Sequence, residues 1–244
     1  MSAHDVTLFG DQVAAARLSA KFAAFDAPKI LRLAIEDLFP GRIALVSSFG
    51  ADSAVLLHMV AMIDRTLPVV FVDTLQLFPE TLAYRDALAA HLGLSGVVTV
   101  TPDEASLAEE DSENFLWARD PDRCCDIRKV SPLAKALGGY EAWITGRKRF
   151  QATSRAALPL FEAEGERVKV NPLAGWTQNR LDAYAETHGL PRHELVKRNY
   201  LSIGCIPCTS PVKPGEDARA GRWRGRGKTE CGIHVGTLDA GSDI

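Results

Sequence analysis

Apolar residues recur at helical spacing from about residue 11 to 38, in VAAARLSAKFAAF and ILRLAIEDLF, and predict two lead-in helices. A short apolar run ending in small polar residues, RIALVSS (42–48), predicts a buried strand, and DSAVLLHMVAMI (52–63) predicts the helix that follows it. PVVFVD (68–73) reads as a second strand with a helix from about Pro79 to His91, GVVTVT (96–101) as a third, and AWITG (142–146) as a fourth after a helix around 123–137. FEAEGERVKVNPL (161–173) reads as a hairpin-like addition. Strands alternating with helices imply an α/β fold, a parallel sheet with helices on both faces.

The pattern stops near Thr209. From Ser210 the chain is rich in Gly, Pro and charge and has no apolar period. We therefore expect an α/β domain over 1–208 and a flexible tail over 209–244 that carries a lone cysteine. Composition adds limits rather than a function. No run of about 18 apolar residues exists, so no membrane span is expected. The N-terminus lacks the basic and apolar regions of a secretory signal, which makes the cytoplasm the expected location. With 28 Lys and Arg against 31 Asp and Glu, the net charge is −3. A broad nucleic-acid surface is not expected, and any anion site must come from local clustering of cations.

Three segments fall at strand carboxyl ends, where open parallel sheets bind ligands. Ser47-Ser48-Phe49-Gly50-Ala51-Asp52-Ser53 combines small residues with a following helix N-terminus; Ser47, Ser48, Gly50 and Ser53 are candidate phosphate contacts. The plain alternative is a capped turn, with Asp52 or Ser53 as N-cap. Asp73-Thr74 follows the second strand, and Thr145-Gly146-Arg147-Lys148-Arg149 the fourth, with Arg155 close behind. The location argues that Gly146, Arg147 and its basic neighbours meet an anion.

The five cysteines divide as four plus one: adjacent Cys124 and Cys125, a C-x-x-C of Cys205 and Cys208, and Cys231 alone. Four thiolates suit a [4Fe–4S] cluster or zinc. Zinc favours pairs two to four residues apart, which adjacent cysteines fit poorly, so the spacing favours the cluster. Cys231 lies in a Gly-rich polar stretch, expected to be exposed, and the flanking Lys228 and His234 predict a cationic setting for a reactive thiol.

The loop S-F-G-A-D-S resembles the S-G-G-x-D-S loop of the ATP-pyrophosphatase (PP-loop) superfamily, with Phe49 in place of the first Gly. Val72 to Thr81 (VDTLQLFPET) resembles the (D/N)-T-G-x-L-F-P-E-T signature of adenylyl-sulfate and phosphoadenylyl-sulfate reductases, with Leu75 in place of Gly. Glu230-Cys231-Gly232-Ile233-His234 is similar to the E-C-G-(L/I)-H of that family. The resemblance runs from about 40 to 235 and implies a sandwich of the adenine nucleotide alpha hydrolase-like (PP-loop) type. It implies a pocket for an adenylated sulfate, with Thr74 and His234 among its contacts. It also implies that C-C…C-x-x-C marks the iron–sulfur branch, which mostly uses adenosine 5′-phosphosulfate. By the C-C-x-x-R-K pattern Lys129 contacts the sulfate end. By the R-x-G-R-W segment Arg219 and Arg222 close on the substrate.

These features together predict that Cys231 attacks the sulfate sulfur, releases AMP and carries an S-sulfonate. Thioredoxin, or a glutaredoxin-like dithiol protein, then releases sulfite, because no spare dithiol remains in the chain. The competing readings are a reductase for the 3′-phosphorylated nucleotide or for both, a PP-loop tRNA-thiolating enzyme, and a zinc-stabilised module binding nucleic acid. The sequence leaves a homo-oligomer open.

Overall fold

The computed structural model describes residues 11–228 and 230–234. Helix α1 (Gln12–Lys21) starts where the Asp11 carboxylate accepts the Val13 N–H. Helix α2 (Ala27–Arg32) starts at Asp26, which accepts from Lys29, and runs on as a wider turn over Leu33–Leu38. Then come β1 (Ile43–Val46), α3 (Ser53–Ala61), β2 (Val69–Val72), α4 (Pro79–Leu92) and β3 (Val97–Val100). Three short helices follow: α5 (Glu104–Glu110), α6 (Leu116–Arg119) and α7 (Pro121–Cys125). A wider turn over Asp126–Val130 joins α7 to α8 (Ser131–Ala136), and β4 (Ala142–Ile144), β5 (Phe161–Glu164), β6 (Arg167–Val170) and α9 (Gln178–Thr187) complete the list. The order was legible in outline, except for α5, α6 and α9. Two of these carry clear caps, Asp103 accepting from Ser106 and Thr177 accepting from Arg180.

The six strands form one sheet in the order β3-β2-β1-β4-β6-β5. All neighbours are parallel except β5 and β6. The predicted hairpin is therefore present, and its return strand also extends the main sheet beside β4. Side chains alternate across the sheet. Ile43, Leu45, Phe71 and Ile144 pack with Ile30, Leu57 and Leu88 on one face, while Ala44, Val70 and Trp143 pack with Leu133 and Leu137 on the other. β1 lies between β2 and β4, so chain order reverses there and a crevice opens at the strands' carboxyl ends. Among the described residues no helix is long and apolar enough to cross a membrane.

The stretch after Cys208 lies across those carboxyl ends as a strap. Thr209 and Arg222 form an antiparallel bridge, and the Trp223 N–H donates to the Cys208 carbonyl at 3.0 Å. The apolar period is absent, as read, but Val212 and Trp223 are buried anchors and Ile233 packs on the second core face. Cys231 is consequently half-buried rather than exposed.

The two positions where the resembling loops carry glycine keep a glycine-type backbone here. Phe49 has φ +46° and Leu75 has φ +60°. Each left-handed residue with a Cβ costs about 1–2 kcal/mol. Phe49 offsets this by full burial and an edge contact with Phe71 at 5.5 Å between centroids. Leu75 is 55% exposed, and its N–H donates to the Asp73 carboxylate at 2.9 Å. Leu75→Gly should therefore stabilise the fold, by a few tenths to about 1 kcal/mol once the added freedom of the unfolded chain is deducted. Phe49→Gly should destabilise it by about 3–5 kcal/mol through the lost ring. Urea unfolding of both variants checks the opposite signs; shifts of one sign would overturn this account.

Candidate active site

The loop between β1 and α3 forms one wall of the crevice. Ser47, Ser48, Gly50 and Ser53 line it, together with Gly146 and Arg147 from the loop after β4. Asp52 takes the N-cap position of α3, yet its carboxylate caps nothing. It pairs instead with Lys148 at 2.9 Å and accepts from Gln178 at 3.3 Å. Lys148 is 3% exposed; burial lowers its pKa and Asp52 opposes that shift. Arg147 pairs with Glu162, and here too burial lowers the pKa against the pull of the acid. Arg149, expected at an anion, turns away: its Nε donates to the Leu158 carbonyl at 2.8 Å.

The strap forms the opposite wall. Arg219, Arg222, Glu230, Cys231 and His234 line the same crevice as Lys129 and Arg155. Glu230, which the sequence reading did not single out, accepts two bonds from Arg155 (2.9 and 2.8 Å) and one from Arg219 at 3.1 Å. Its place beside the lone cysteine was the available signal. The cationic frame of Cys231 is not the predicted one. Lys228 reaches away to Asp122 and the Pro121 carbonyl. His234 lies stacked on Trp143, 5.6 Å between centroids and 9° between planes. Burial first, then the nearby Arg147, Lys169, Arg155 and Arg219, push its pKa well below 6.5, so it is neutral near pH 7. The cations that share the crevice wall with Cys231 are Lys129, Arg147, Arg155, Arg219 and Arg222, with Lys148 paired to Asp52.

Eleven of the twelve predicted contacts line this crevice together with Cys231, and Thr74 is the exception. Thr74 is fully buried and absent from the crevice wall; its hydroxyl lies 3.2 Å from the Cys205 sulfur. That sulfur belongs to a second, smaller cavity, lined by Cys124, Cys125, Cys205 and Cys208 together with Gln76, Arg128, Lys129 and Trp223. Arg128, half of a basic pair that could have been solvated, is 4% exposed and bonds Asp111 at 2.6 Å, the Thr74 carbonyl at 2.9 Å and Asn114 at 2.9 Å. It ties the turn after the cysteine pair to the loop after β2. Burial raises the pKa of Cys124 to about 12 and also raises those of Cys125 and Cys208. Burial pushes Cys205 the same way, but Lys129, Thr74 and Arg222 outweigh it and lower its pKa. Lys129 and Trp223 line both cavities and so form the partition between them.

Residues 42–211 match the family described as the phosphoadenosine phosphosulfate reductase domain. The chain is 55% identical to an adenosine 5′-phosphosulfate reductase of Mesorhizobium japonicum, over 92% of this chain and 89% of that protein. It is 43% identical to one of Streptomyces coelicolor, over 84% and 87%. Among solved structures it resembles a phosphoadenylyl-sulfate reductase from Candida auris in a phosphate complex, with 27% identity, a TM-score of 0.69 and coverage of 83% and 98%. An FMN adenylyltransferase of Candida glabrata, 16% identical with a TM-score of 0.53, shares the fold.

The neutral His234 gives the docked strap a pH dependence of defined sign. Below its ordinary value, about 6.5, the imidazole binds a proton when unfolded but not when stacked in place, so stability falls as pH falls. Relative to His234→Phe, the wild type should lose at most about 1.4 kcal/mol per pH unit below that value. Urea unfolding of both proteins between about pH 8 and pH 5.5 measures the difference, in which all other groups cancel. A constant difference would show that the ring is not held neutral.

Proposed function

The chain belongs to the phosphoadenosine phosphosulfate reductase domain family, and on that premise we propose that it reduces adenosine 5′-phosphosulfate to sulfite and AMP in sulfate assimilation. One observation carries the reading: Cys231 lines the same crevice as the Ser47–Ser53 loop and the cations Lys129, Arg147, Arg155, Arg219 and Arg222. An adenylated sulfate presents two adjoining anions and one electrophilic sulfur, which is the chemistry such a wall meets.

In the first step the Cys231 thiolate attacks the sulfate sulfur. A sulfur–sulfur bond forms, the bond from that sulfur to the bridging oxygen breaks, and AMP leaves with the oxygen and its electron pair. In the second, a thiolate of thioredoxin or a similar dithiol protein attacks the Cys231 sulfur and expels sulfite. The partner's second thiol then resolves the mixed disulfide, returns Cys231 as thiolate and leaves the partner oxidised by two electrons. Half-burial of Cys231 means that the strap has to move to admit the partner; of the tail expected over 209–244, residues 229 and 235–244 lie outside the described residues. Five unpaired cysteines suit a reducing compartment such as the cytoplasm.

We further propose that Cys124, Cys125, Cys205 and Cys208 hold a [4Fe–4S] cluster. The reading is supported by the donor set, four thiols lining one cavity with Lys129 and Arg128 beside them, although among the described residues they are not drawn together into a metal-holding group. Bound there, a cluster would supply fixed negative charge next to Lys129; the Cys231 thiolate supplies the electron pair of the first step, and the dithiol supplies the two electrons of the net reduction in the second. Phosphoadenylyl sulfate as substrate is the second reading, favoured by the solved Candida auris relative. The curated relatives at 42–55% identity carry the adenosine 5′-phosphosulfate name, which favours the first.

Two measurements test these assignments. Anaerobic enzyme mixed with adenosine 5′-phosphosulfate and no dithiol should release one equivalent of AMP, stop, and gain the mass of one SO3 group on Cys231. Reduced thioredoxin should remove that mass and release sulfite, and Cys231→Ser should show neither burst nor adduct. An adduct on any other residue would end the mechanism. Cys205→Ser should lose iron and sulfide from the purified protein along with its brown absorbance; stoichiometric zinc in the wild type would refute the cluster.

A further inference from the structure

Gly204 immediately precedes Cys205, and the group lying against its α-carbon is the guanidinium of Arg222. A Cβ built there would sit 2.4 Å from one terminal nitrogen of Arg222, 2.5 Å from Cζ and 2.8 Å from the other nitrogen. The backbone at Gly204 does not itself demand glycine, since its φ lies outside the left-handed region. Space is what the position supplies.

That space is one side of a slot. The guanidinium donates to the Ile203 carbonyl at 3.3 Å, and its Cζ lies 4.3 Å from the centroid of the Trp223 ring. Trp223 is 3% exposed, and its backbone N–H is fixed to the Cys208 carbonyl. The Arg222 Nε is sealed from solvent and has no hydrogen-bond partner among the described residues. A charged donor in that state costs free energy unless an acceptor arrives, and this one stands in the crevice wall with Lys129 and Cys231.

We infer that Gly204 is a positioning residue for Arg222: by lacking a side chain it lets the guanidinium lie flat between the backbone and the Trp223 ring, aimed at the anion that Cys231 attacks. The inference rests on the crevice being the site for an adenylated sulfate. It also explains how the C-x-x-C hairpin and the strap are matched, since Gly204 is on the first and Arg222 on the second.

The clashing atoms are the far end of a flexible side chain, so Gly204→Ala displaces Arg222 and leaves the backbone in place. A double-mutant cycle of wild type, Gly204→Ala, Arg222→Ala and the pair tests this, read as kcat/KM for sulfite release and as the dissociation constant for AMP. Each single variant should lower kcat/KM by about tenfold or more, the worth of one charge-assisted contact. The pair should fall no further than Arg222→Ala alone, because the second change removes a seat already vacant. Iron content and the urea midpoint of Gly204→Ala should match the wild type. Additive losses, an unchanged Gly204→Ala, or loss of iron or fold in that variant would each overturn the inference while leaving the substrate assignment standing. A wild type that neither binds AMP nor releases sulfite would overturn both.

Discussion

A lysine ammonium drawn away from water loses several kcal/mol of hydration unless negative neighbours replace it. Lys129 is such a group. Burial pulls its pKa down, but Cys205 on one side and Cys231 on the other, acting as anions, pull it up further, and the net shift is upward. The two cavities meet at this side chain, so their charge states are not independent: negative charge in the cysteine cavity and at the lone cysteine both stabilise the same cation. The rest of the carboxyl edge follows a similar rule. Lys148 is paired with Asp52, Arg147 with Glu162, Lys169 with Glu164, and Arg155 with Glu230. Acids drawn from the sheet, the first loop and the strap therefore hold a dense group of cations in place before any ligand is present.

This pairing explains why the fold brings such distant segments together. The sheet's order reversal between β1 and β4 opens the crevice, but a crevice alone has no chemistry. The Asp111–Arg128 pair, both residues nearly inaccessible to water, binds the turn after the adjacent cysteines to the loop after β2. The C-x-x-C hairpin meets that same loop where Leu77 bridges Cys205 and the Ile206 N–H donates to the Gln76 carbonyl. Two cysteine pairs about 80 residues apart in sequence are thus brought to one cavity by hydrogen bonds of their neighbours, joined by the contact between the Thr74 hydroxyl and the Cys205 sulfur.

How much of this the sequence disclosed follows from what each signal encodes. Cysteine spacing, the S-F-G-A-D-S turn and the apolar strands are local, and they gave the parallel sheet, the crevice loops and the four-plus-one division. Partner choice is tertiary, and there the reading went astray. Arg147 and Arg149 look alike two residues apart, yet one faces the crevice and the other a backbone carbonyl. Thr74 sits in a signature read as a substrate contact, but the loop carries it toward Cys205. Lys228 and His234 flank Cys231 in sequence; one reaches an acidic side chain on α7 and the other lies flat on Trp143. The hairpin was visible from its strands, whereas its addition to the sheet depended on β4 having an open edge.

The placement of Cys231 shows how a segment with little apolar content can still hold a reactive atom accurately. Directly before it, Glu230 is fixed by Arg155 and Arg219; two and three residues later, Ile233 enters the second core face and His234 stacks on Trp143. The turn between these anchors is made by Gly232, at φ +88°, where a Cβ would approach Val130 to 3.2 Å. An L-residue would meet both backbone strain and a tight contact there. The cysteine therefore needs few contacts of its own. Its neighbours fix its position from both sides, through ion pairs, one stacked ring and the single apolar anchor Ile233, so release of the segment requires these few contacts, and not the main core, to open when a partner has to reach the sulfur.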